Sequence, residues 1–105
     1  MDGDPGQAPL LRERWPVLAG ELDAALAAVG EKSLRRRASR LRVVQMCSCE
    51  DDFCQSFRTA PATGKAYGPG HRNVWLDPPW PGYLVLDVVR GIIVHIEVLY
   101  RPPLD

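Results

Sequence analysis

Two β-rich runs close the chain, Tyr83–Val89 and Ile92–Tyr100, and only Arg90 and Gly91 stand between them. A two-residue link between such runs has one good solution, an antiparallel hairpin. Its turn is of the primed kind, with positive φ at both central positions. Glycine suits the second position, whereas arginine is not the preferred residue at the first. Pairing Val89 with Ile92 under strict alternation places Tyr83, Val85, Asp87, Val89, Ile92, Val94, Ile96 and Val98 on one face. Leu84, Leu86, Val88, Ile93, His95, Glu97 and Leu99 fall on the other. Both faces are mostly apolar, so the hairpin is expected in the middle of a larger sheet. Asp87 then sits among valines, where a lone carboxylate is costly; Arg72 or Arg101 would satisfy it.

The rest of the chain supplies that sheet and a cover for it. Trp15, Leu18, Leu22, Leu26 and Val29 recur at helical spacing, Pro16 suits a first helical turn, and Gly30 suits a stop. The spacing predicts a helix over residues 15–29. Residues 31–40 fit either a short second helix with an arginine-rich outer face or a connecting loop. Strands are predicted over 41–48, 54–58 and 73–77. The Gly/Pro-rich stretch from Thr59 to Arg72 is a loop, and Pro78–Gly82 is a rigid turn. Residues 1–9 read as a tail before a single domain, 10–105. The fold class is α+β: one or two N-terminal helices packed on an antiparallel sheet of about five strands, ending in a β-hairpin.

Composition narrows the functional classes. Apolar residues make up 46% and charged residues 25% of 105, the balance of a globular domain. No apolar run is long enough to cross a membrane. The acidic start lacks the pattern of a secretory signal. Three cysteines, an odd number, argue against a closed disulfide framework. The expected setting is the cytoplasm, with reduced thiols.

Formal net charge is zero, yet Lys32, Arg35, Arg36, Arg37, Arg40 and Arg42 fall within eleven residues that hold no acid. Such a block points to an anionic partner, an acidic protein surface or a nucleic acid backbone. Lys32, Arg35, Arg36, Arg37 and Arg40 are the candidate contacts. The alternative is a solvated face neutralised internally by Glu21, Asp23 and Glu31. The aromatic-rich strand motif of single-strand RNA readers is absent, which leaves nucleic acid the weaker partner.

The three cysteines form the other candidate, Cys47-Ser48-Cys49-Glu50-Asp51-Asp52-Phe53-Cys54. A hairpin with its loop at 50–53 places Cys49 opposite Cys54, Cys47 opposite Ser56 and Met46 opposite Phe57. The thiols then share one face and could ligate zinc, with His71 of the glycine-rich loop as a fourth ligand. The alternative is packing, since cysteine is a small buried hydrophobe. The acidic turn works against an activated thiolate. His95 and Glu97, two apart on a strand, allow an acid–base pair, two metal ligands or simply a hydrogen-bonded face. No nucleophile, base and oxyanion set can be assembled, and no cofactor fingerprint appears. The sequence therefore leads to an interaction or accessory domain with a protein partner and no catalysis of its own. A zinc module and a weak nucleic-acid binder are the alternatives.

Overall fold

The structure, a computed structural model, describes residues 7–47 and 53–105. Three helices, α1 (Leu11–Arg14), α2 (Pro16–Ala28) and α3 (Lys32–Ala38), precede five strands. The strands are β1 (Gln45–Met46), β2 (Phe57–Arg58), β3 (His71–Leu76), β4 (Tyr83–Val89) and β5 (Ile92–Leu99). They form one antiparallel sheet in the order β1-β2-β5-β4-β3. The α+β class, the N-terminal helices and the closing hairpin at the sheet's centre are as the sequence predicts.

The helices cover one face of the sheet. Leu18, Leu22, Ala25 and Leu26 form the buried stripe of α2. They join Leu11 and Leu34 from the flanking helices, and Phe57, Leu84, Leu86, Val88, Ile93, Ile96 and Val98 from the sheet, in one core. Trp15 packs at its margin, but Val29 is exposed, because the helix has ended at Ala28 and Gly30 turns the chain at φ 74°. The extra helical turn at Leu11–Arg14 is short and offers one buried residue, Leu11, too little periodicity to be seen in sequence.

The hairpin turns at Arg90 (φ 51°) and Gly91 (φ 82°), both in the left-handed region that a primed turn requires. Strict alternation fails four residues later. Val89 pairs with Ile92 and Val88 with Ile93, but Asp87 pairs with His95, so Val94 is an extra residue. This bulge moves Ile96 and Val98 to the core face beside Leu84, Leu86 and Val88, and sends His95 and Glu97 to the other face beside Asp87. The face assignment expected from an unbroken hairpin is corrected accordingly. The carbonyl of Val94 accepts the N–H groups of Thr59 (3.0 Å) and Ala60 (3.3 Å), so the bulge also anchors the loop that follows β2.

The two cysteine-flanked strands are shorter than predicted, because their backbone groups are shared with other segments. Val43 N–H donates to Pro9 and Leu11 N–H to Leu41, while Val44 N–H turns the other way to Arg58. Between Phe53 and Ser56 the chain runs along β5 through Tyr100 N–H to Phe53, Gln55 N–H to Val98, and Val98 N–H to the buried Ser56 hydroxyl. Arg101 ties the C-terminal segment to α2. Its guanidinium binds Glu21 (2.8 and 2.9 Å), Asp105 (2.6 Å) and the carbonyls of Pro102 and Pro103. Burial works against its charge, but its hydrogen bonds to Asp105 and Glu21 outweigh it and raise its pKa.

Candidate functional site

The arginine block divides in two when folded. Helix α3 is anchored by buried Leu34, with Ala38 packed against the core, and its charged side chains are exposed. Arg35 is consumed by a two-pronged pair with Asp23, at 2.8 and 3.0 Å. That contact lowers the pKa of Asp23, first through the Arg35 hydrogen bond, and raises that of Arg35. Lys32 lies outside the groove described next. Arg36, Arg37, Arg40 and Arg42 line a groove of about 580 Å³. Its apolar lining is Leu41, Val44, Ile92 and Ile93, and Ser33 and Thr59 supply hydroxyls. Of the five predicted contacts, three line the groove; Arg42, a further member of the cationic block, joins them through the turn from α3 into the extended segment.

The expected internal neutralisation reaches only Arg35. Glu31 instead takes Arg72, at 3.0 and 3.1 Å, and Glu21 takes Arg101. The Glu31 carboxyl is held below its ordinary value, chiefly by the hydrogen bonds from Arg72. Arg42 donates to the Ala8 carbonyl at 2.6 Å. Among the described residues, no carboxylate forms an ion pair with Arg36, Arg37 or Arg40. Like charges crowded on one wall repel one another; an incoming anion relieves that repulsion.

The thiols lie at the other flank of β1. Met46 pairs with Phe57 and Cys47 N–H donates to Ser56, in the register the sequence predicts. The sulfurs of Cys47 and Cys54 stand 3.6 Å apart, and Cys54 is 3.5 Å from the Ser56 hydroxyl. Cys49 and the acidic turn lie outside the described residues, and with them the expected Cys49–Cys54 contact. His71 is not beside the thiols. It sits on β3, with β4 and β5 between it and β2, and its Nε2 is 2.8 Å from Asp87. The glycine-rich loop ends before it, so its ring is held by the sheet. Among the described residues, no group of three or more His, Cys, Asp or Glu is placed to hold a metal ion.

A third constellation was hidden by the bulge. Gln45, Arg58, His95, Asp87 and Asn73 are consecutive cross-strand partners, a polar row running across all five strands on the face without helices. Asp87 accepts from Asn73 (2.7 Å) and meets the rings of His71 (2.8 Å) and His95 (3.0 Å). Neither Arg72 nor Arg101 reaches it. His95 turns to Asp87, not to Glu97, which faces Val85. Arg58 is occupied by the Ala60 and Pro61 carbonyls and the Tyr67 hydroxyl, and so pins the loop. Within the row, Asp87 is the shared acceptor of Asn73 and the partner of His95. Trp75, 66% exposed, continues this face into Tyr83, Tyr100 and Phe53 through successive ring contacts of 6.2, 6.3 and 4.9 Å. Trp80 does not belong to that patch; it is buried, with its indole N–H on the Leu99 carbonyl at 3.0 Å.

These features define a small α+β domain with a helix-covered sheet and a cationic groove at one edge. None of its described helices is long and apolar enough to cross a membrane. No protein-family model, curated protein or solved structure matches the chain.

Proposed function

We propose that the chain is a non-catalytic interaction domain that engages an anionic partner through the groove walled by Arg36, Arg37 and Arg40. The observation that carries this reading is the distribution of acids. Asp23, Glu31 and Glu21 are spent on Arg35, Arg72 and Arg101, which leaves Arg36, Arg37 and Arg40 without a carboxylate among the described residues. A guanidinium fork suits carboxylate and phosphate alike. A protein partner in the cytoplasm is favoured over nucleic acid, since the chain has no net positive charge. Exchanging Arg36 and Arg37 for glutamate abolishes retention on heparin, and retention of the unaltered protein falls steeply with salt. An unchanged elution profile overturns the reading.

A second reading rests on the thiols. With Zn–S bonds of about 2.3 Å, sulfurs at the corners of a tetrahedron lie about 3.8 Å apart, close to the 3.6 Å between Cys47 and Cys54. A zinc site built on that pair gives stoichiometric zinc in purified protein, lost in Cys54→Ser. Metal-free protein under reducing purification removes it.

A further inference from the structure

The groove lining joins guanidinium groups to apolar side chains, and that combination selects among anions. Resting on the anionic-partner reading, we infer that its occupant is an extended acidic protein segment that carries an apolar side chain between its carboxylates. Ile92 is the exposed part of the apolar lining. It is 46% exposed, although it begins a central strand, and it shares the lining with Leu41, Val44 and Ile93. A chain of charges alone, polyglutamate or a sugar–phosphate backbone, satisfies the arginines and leaves this apolar surface wet. Nucleic acid would call for an aromatic platform on which bases stack, and the groove lining contains no aromatic residue. The exposed rings of Trp75, Tyr83 and Tyr100 belong to the far ends of their strands, away from the turn where Ile92 stands. An acidic segment with one leucine-like side chain answers both halves: carboxylates meet guanidinium forks two-pronged, and the apolar side chain removes Ile92 from water. The volume of about 580 Å³ is that of a site for a few side chains, not for a folded partner's whole face.

The test uses the full chain and fluorescence anisotropy with labelled probes of matched charge. They are a glutamate-rich peptide with one central leucine, the same peptide with serine in that place, and a single-stranded oligonucleotide. The leucine peptide binds about tenfold tighter than the serine peptide, the factor that about 1.4 kcal/mol of apolar burial supplies. Ile92→Ser erases that difference. Exchanging Arg36 and Arg37 for glutamate erases binding of every probe. Equal affinity for the two peptides, or tighter binding of the oligonucleotide, overturns the inference while the anionic-partner reading stands. Failure of all three probes together with heparin removes both. The comparison of peptides on unaltered protein decides the matter even if Ile92→Ser does not fold.

Discussion

Asp87 and His95 face each other across the closing hairpin, Oδ2 to Nδ1 at 3.0 Å, and they do so because Val94 is bulged out of register. Without the bulge His95 would oppose Leu86 and Asp87 would lie among valines. With it, a carboxylate that looked stranded gains two imidazoles and an amide. Asp87→Ala leaves those donors without their common acceptor, and urea denaturation should show a loss of about 1–3 kcal/mol. A loss no larger than that of a typical surface substitution, within about 0.5 kcal/mol, would show that the polar row does not contribute to stability.

Arg101 is the most deeply buried charge described, with its side chain 4% exposed and its partners on α2 and at the C-terminal end. Arg101→Ala strands Glu21 in a partly buried position and should cost about 3 kcal/mol, the low end for breaking a buried pair. Glu21→Ala should cost less, because Asp105 and two carbonyls still hold the guanidinium. The order of the two melting temperatures checks this.

Two solvent-exposed ion pairs give the fold an expected, small acid dependence. Glu31 and Asp23 have pKa values lowered from 4.5 and 3.8 by hydrogen bonds from Arg72 and Arg35. A lowered folded-state pKa means that the unfolded chain takes up the proton first as pH falls. The contribution is complete above pH 4.5 and is lost as pH drops through the lowered folded values. Arg72→Ala should therefore flatten the fall of stability below that pH. Denaturation midpoints measured along a pH series would refute the assignment if both proteins gave the same slope.

Arg90 occupies a left-handed position at φ 51° without the backbone freedom of its neighbour Gly91. Asparagine tolerates that region better than other side chains. Arg90→Asn should raise stability by about 0.5 kcal/mol, a small share of the left-handed penalty. The gain is bounded because the Arg90 side chain packs close to Gly70. A lowered melting temperature would mean that this packing outweighs the turn.

The sequence determined by itself what local pattern and spacing determine. The α2 stripe of Leu18, Leu22 and Leu26, the hairpin turning at Arg90 and Gly91, and the Met46–Phe57 register all follow from periodicities of a few residues and from turn chemistry. So did the presence of a cationic block with no acid inside it. Tertiary structure alone decided which cations remain available, since Asp23, Glu31 and Glu21 find their arginines at separations of 12, 41 and 80 residues. It also decided the faces of β5, because a bulge is the insertion of one residue against a distant partner, and in a strand with apolar residues on both faces the alternation alone does not place it. His71 shows the same limit. Its glycine-rich neighbours suggested a swinging ligand, but pairing with β4 places it beside Asp87 and away from the thiols. Local sequence fixes backbone preference and face; which charges meet is settled by the contacts that folding closes between segments far apart in the chain.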